Sequence, residues 1–186
     1  MKIKCGTLLT PFEQMNDVTI FLEEGKIKDI SSSNVLNLTS HCIDASRYWV
    51  VPGFIDPHTH IGIYRLEGEN ADHGFEVSDP LTPHLNVVDG IDPFDPAFEN
   101  AIKSGVTTVG ILPGSYMSFG GSVEKITIMP GQGAIYKTNG KLINKSAFVK
   151  VALGEHPRRF LAERKMVPTT RMGIIAEIRS LFKQTL

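Results

Sequence analysis

The rhythm of apolar and polar positions changes near Val50. Before it, MKIKCGTLL and VTIFLEEGKIKDI are short β-prone pieces, and Glu24-Gly25-Lys26 supplies a hairpin turn between 18–23 and 26–30. SSSNVLNLTS is a polar connector whose serines and asparagines favour turns. Residues 1–51 are therefore expected to form a small antiparallel, β-sandwich-like module with no chemistry of its own.

Residues 52–186 follow a different pattern. VVPGFIDPHTH is strand-like, broken early by Pro52-Gly53, and leads into a long loop rich in Gly, Asp, Pro and His. Loops of that length inside a compact domain are usually functional or disordered. DPAFENAIKSG predicts a helix that starts at Asp95-Pro96, turns Phe98, Ala101 and Ile102 to one face, and stops at Gly105. VTTVGILPG is a second buried strand. SVEKITIMPGQGAIYKT reads as a hairpin excursion around Pro130-Gly131-Gln132-Gly133, and AFVKVALG as a third strand. TTRMGIIAEIRSLFKQTL closes as an amphipathic helix capped by Thr169 or Thr170. Its apolar side carries Met172, Ile175, Ile178 and Phe182, widened by Ile174 and Leu181.

This βα alternation argues for a parallel α/β sheet, in which ligands bind at the carboxyl ends of strands. His58 and His60 stand at such an end. In a strand, residues i and i+2 point to one face, so the two imidazoles would project together and can grip one divalent ion. The plain alternative is coincidence, since two of six histidines fall close together.

Composition narrows the classes. A chain of 186 residues suits one domain or one and a half. With 21% charged residues and a net charge of −1, no basic face argues for nucleic acid. No apolar run approaches the ~20 residues of a membrane span, and MKIKCGTLLTPFEQ lacks the apolar core of a signal peptide. Cys5 and Cys42 are too few for a disulfide scaffold and are expected as reduced thiols. The expected protein is soluble and cytoplasmic.

The residues also carry a likeness. IDASRYWVVPGFIDPHTHIG resembles the first barrel strand of the amidohydrolase superfamily, whose members read IDA…VxPGxIDxHxH, and GVTTV resembles their second strand. DPLTPHL, PGQGAIYKT and ALGE resemble the members related to imidazolonepropionase. The resemblance implies a (β/α)8 barrel that binds one or two divalent ions and hydrolyses the C–N bond of a cyclic or linear amide. It assigns His58 and His60 as metal ligands, with Glu155 at the end of the third strand as a third; a lysine on strand 4 is the family's other solution. Zinc is the expected ion, with manganese and iron as alternatives.

A whole barrel of this kind needs about 250 residues, whereas 135 run from Pro52 onward. Three βα units are expected, that is, a partial barrel preceded by the β module. The family's later histidines and its strand-8 aspartate have no counterpart among them. The expected product is an N-terminal fragment of a metal-dependent amidohydrolase, inactive alone. The alternative is a non-catalytic half-barrel remnant that binds metal weakly or associates with a partner chain, as a homo-oligomer or through its open barrel edge. A His-x-His site on an unrelated antiparallel β fold is a third reading, disfavoured by the helices.

Other candidates are weighed singly. His84, in DPLTPHL, and Arg171, at a helix N-terminus where backbone N–H groups assist anion binding, are candidate substrate contacts. A solvated loop histidine and a surface ion pair are their ordinary roles. His73 fits a solvated loop. Asp56 fits either a carboxylate that orients a ligand histidine or a turn residue.

Overall fold

The computed structural model describes residues 1–32, 41–64, 74, 76, 78–119, 122–154, 157 and 168–184. The connector beyond Ser32, His73 and Glu155 lie outside the described residues. The chain divides into two compact units, 1–53 and 54–186. No described helix is long and apolar enough to cross a membrane.

The first unit is a four-stranded sheet in the order β3-β2-β1-β4, formed by β1 (Lys2–Leu9), β2 (Gln14–Glu23), β3 (Lys26–Ser31) and β4 (Cys42–Val50). Glu24 and Gly25 both take positive φ, 51° and 74°. That is the primed turn whose twist suits a two-residue hairpin. The sheet is mixed rather than antiparallel throughout, because β4 pairs parallel to β1. Cys5, Leu8, Val18 and Ile20 form the buried cluster. Cys5 and Cys42 are free thiols, and burial raises the Cys5 pKa.

The second unit holds a four-stranded sheet in the order β10-β9-β6-β5. Its strands are β5 (Phe54–Thr59), β6 (Val106–Ile111), β9 (Gly131–Lys137) and β10 (Leu142–Lys150). A separate antiparallel pair comprises β7 (Tyr116–Phe119) and β8 (Ser122–Ile126). β5 and β6 pair parallel, joined through α1 (Pro96–Lys103). Asp95 caps α1 by accepting from the Ala97 N–H at 2.8 Å, and Gly105 follows the helix at φ 81°.

The sequence reading differs from the fold at β9. The hairpin turn expected at Pro130-Gly131-Gln132-Gly133 is not there: residues 131–133 begin β9, which enters the main sheet between β6 and β10, antiparallel to both. Glycine makes this packing possible. A Cβ on Gly133 would lie 2.8 Å from the Ile111 carbonyl oxygen, and one on Gly110 2.5 Å from that of Pro57. Consecutive parallel βα units are thus replaced by one such unit and a hairpin, giving a mixed α/β sheet.

On one face of this sheet Val109, Ile111, Ala134 and Tyr136 pack with Phe98 of α1, Ile63 and Val87. Burying a side chain such as Phe98 contributes about 1.5–3 kcal/mol. The other face carries the alternate positions, where Phe148 lies beside both Gly110 and Gly133. α2 (Arg171–Gln184) begins after Thr170, whose hydroxyl accepts from the Gly173 N–H at 3.0 Å. Its inward side is Ile174 with Ile178, packed on Ile128 and Leu81. Met172, expected on the apolar stripe, is 81% exposed; a stripe this wide has more apolar positions than the small cluster beneath it can cover.

Candidate metal centre

β5 and β6 run parallel, and β10 is antiparallel to the strand that is antiparallel to β6. All three therefore present their carboxyl ends at one rim. His58 lies near the end of β5 and His60 just beyond it; Leu112 follows β6, and Lys150 ends β10.

Hydrogen bonds join these ends. The Leu112 N–H donates to the Thr59 carbonyl at 3.0 Å, while the Leu112 carbonyl lies 2.7 Å from His60 Nδ1 and accepts from it. That bond fixes the tautomer with its lone pair on Nε2, the arrangement in which histidines commonly bind metals. Lys150 Nζ lies 3.0 Å from His58 Nε2 and donates to it. The His58 and His60 ring centroids are 5.3 Å apart with planes at 85°. His60, with its lone pair on Nε2, is a donor that suits a zinc-like ion, whereas the His58 Nε2 lone pair accepts from Lys150 and would have to leave that contact to bind an ion.

The Lys150–His58 contact also reports the shape of the sheet. Their strands are its two edges, about 14 Å apart if the sheet were flat, at roughly 4.8 Å per interval. Side chains stand roughly perpendicular to a sheet, so the contact requires a surface curled toward the face that carries Phe148 and Lys150.

Burial lowers the His58 pKa, with help from the Lys150 charge and from His60, while Asp56 opposes them. Burial also lowers the Lys150 pKa. Asp56 makes a turn: its carboxylate accepts from the His58 backbone N–H at 3.1 Å. Beyond the rim, Asp95 accepts from the Gly62 N–H at 3.1 Å, so one carboxylate ties the start of α1 to the loop after His60.

Of the candidates read from sequence, His58 and His60 lie together. His84 is exposed in the loop before Leu85, and Arg171 is exposed at the first position of α2. Lys150 is the addition. The signal for it was present in AFVKVALG, a lysine inside an apolar strand, which is costly unless the amine finds a partner. Among the described residues, no three or more His, Cys, Asp or Glu side chains group so as to hold a metal. A cleft of about 160 Å³ is bordered by Ile63, Glu76, Asn86, Asp89 and Pro113, close in sequence to both His60 and Leu112.

Comparison with known proteins gives this site a context. No family model matches the chain. It is 31% identical over 153 residues to amidohydrolase tasK of Hapsidospora irregularis, a likeness covering 76% of this chain and 15% of that protein. It is 34% identical over 58 residues to an imidazolonepropionase of Thermoanaerobacter pseudethanolicus, covering 31% and 14%. The crystal structure of an amidohydrolase from Thermotoga maritima superposes with a TM-score of 0.79 at 32% identity, covering 98% of this chain and 46% of that one. The chain belongs to the amidohydrolase superfamily. It spans less than half the length of each of these relatives.

Proposed function

We propose that this chain forms part of a metal-dependent amidohydrolase that cleaves the C–N bond of a cyclic or linear amide, and that its second unit is a segment of the catalytic (β/α) barrel. The observation that carries this reading is the rim cluster, with His60 held by Leu112, His58 held by Lys150 and the two rings 5.3 Å apart. His58 and His60 would hold the ion, zinc in the first instance. A bound divalent ion supplies Lewis-acid polarisation of the amide carbonyl and lowers the pKa of water.

The residues of this chain have definable tasks around such a centre. The Leu112 carbonyl orients His60, and Asp56 shapes the backbone at His58. The lowered pKa of His58 keeps its ring neutral, and so able to donate its lone pair, further into mild acid than an ordinary histidine. Lys150 stands nearest to His58 and is the third polar side chain of the cluster. Glu155 remains a candidate third ligand, and His84 and Arg171 candidate substrate contacts.

A second reading has its own observation. It is a non-catalytic part of a barrel that binds metal weakly and shows no turnover, and it is favoured by the engagement of His58 Nε2 with Lys150. Zinc titration by calorimetry separates the two. One zinc per chain is expected, with affinity falling by at least about 10-fold, the cost of losing even an outer-shell partner, in His58→Ala and in His60→Ala. Zinc uptake unchanged in both variants would overturn the metal reading. Zinc-dependent hydrolysis of N-acyl or cyclic amides by the isolated chain, lost in His58→Ala, would overturn the non-catalytic reading.

A further inference from the structure

Beyond His60 the chain turns sharply. The His60 carbonyl accepts from the Ile63 N–H at 3.2 Å and the Tyr64 N–H at 3.0 Å, which closes a turn around Gly62. Gly62 has φ 81° and is gripped on both sides of its backbone. Its N–H donates to Asp95 Oδ2 at 3.1 Å, and its carbonyl accepts from the Asp92 N–H at 2.8 Å. The space around it is full: a Cβ there would lie 3.0 Å from the Asp92 carbonyl oxygen and 3.2 Å from the Phe98 ring. Asp95 is buried, at 8% exposure, and its Oδ1 caps α1 through the Ala97 N–H. A helix cap needs only one carboxylate oxygen. The second is spent on the turn after the histidine.

We infer that Asp95 is a positioning residue for His60. It ties the turn that follows the histidine to the start of α1, so that Nδ1 reaches the Leu112 carbonyl at 2.7 Å and Nε2 is presented to the ion. His60 is thus held at two points, its ring against the end of β6 and its backbone against α1. Both are needed, because a metal ligand must be kept within about 0.5 Å of its working place by the groups behind it. The inference rests on the metal reading of the rim and adds to it a residue that touches neither imidazole.

Asp95→Asn separates the two tasks. Asparagine caps helices as well as aspartate does, but with its single oxygen on Ala97 its amide meets the Gly62 N–H donor to donor. Ala101→Gly is the control, since it weakens α1 and leaves both partners of the clamp in place. The His60 ring nitrogens are followed by heteronuclear NMR of the metal-free protein at a pH where imidazole is neutral, and zinc affinity by calorimetry. Asp95→Asn is expected to turn the single Nδ1–H tautomer of His60 into a mixture of both and to weaken zinc binding about tenfold. Ala101→Gly should lower the thermal midpoint and change neither. Parental ring nitrogens in Asp95→Asn would overturn the inference, and so would a parental zinc affinity. The same tautomer change in Ala101→Gly would overturn it too, by making the change a general result of a loosened helix. A parent protein that takes up no zinc would sink the metal reading, while the ring nitrogens would still decide this one.

Discussion

Lys150 and His58 meet at 3.0 Å although their strands form opposite edges of one sheet. Each group has its pKa lowered, and burial is the largest cause for both. Replacing Lys150 with Met removes the second cause acting on His58, its neighbour's charge, and leaves the first in place. The His58 titration, followed by NMR of its ring protons, should move up part of the way toward the ordinary value near 6.5. No movement would mean that the contact is not populated in solution.

His58 also sets a pH dependence. Its folded pKa lies below its unfolded value near 6.5, so the unfolded chain takes up the proton first as pH falls. Between the two values the unfolded state binds more protons, and stability declines with falling pH. Above the unfolded value this group adds no slope. Urea midpoints measured from pH 7.5 to 5 should fall, and His58→Gln should flatten the decline. An equally steep curve in the variant would assign the loss to other groups.

The Asp95 carboxylate accepts from two backbone N–H groups, those of Ala97 and Gly62. Asp95→Ala should cost about 1–3 kcal/mol, from the lost helix cap and a Gly62 N–H left without its acceptor. Asp95→Asn keeps one acceptor oxygen and should recover part of the loss. Chemical denaturation of the three proteins gives the ranking, and a wild-type midpoint for Asp95→Ala would rule out the double role.

Gly110 is tightly enclosed. A Cβ there would stand 2.5 Å from the Pro57 carbonyl oxygen, a backbone atom, and 3.3 Å from Phe148. Gly110→Ala should therefore destabilise by about 1–3 kcal/mol through overpacking, read as a lower thermal midpoint. Because Pro57 directly precedes His58, the variant should also weaken zinc binding. A neutral substitution would show that β5 yields easily at this point.

Local signals explain why much of this was legible in the sequence. Glu24-Gly25 announced its turn, Asp95-Pro96 its cap, Gly105 its helix end and Thr169-Thr170 the start of the last helix, where Thr170 is the one that caps, because each acts within a few residues of itself. The two histidines were legible as a pair through strand alternation. β9 was not, because Pro130-Gly131-Gln132-Gly133 reads as a hairpin turn, whereas residues 131–133 open the strand; its place between β6 and β10 depends on glycines that let backbones approach closely. Lys150 was missed for a related reason. What makes it part of the cluster is the bending of the sheet, which no single strand encodes.

The insertion of β9 has a consequence for how such a sheet can vary. A strand that enters antiparallel reverses the direction of the chain, and the next strand reverses it again. Direction across the sheet thus behaves as a parity. A hairpin excursion restores the original heading, and the rim occupied by His58, Leu112 and Lys150 keeps its members. Adding or removing one antiparallel strand would send the end of the following strand to the opposite rim and carry its lysine away from the histidines. Variation by whole hairpins is therefore compatible with the site, and variation by single reversals is not.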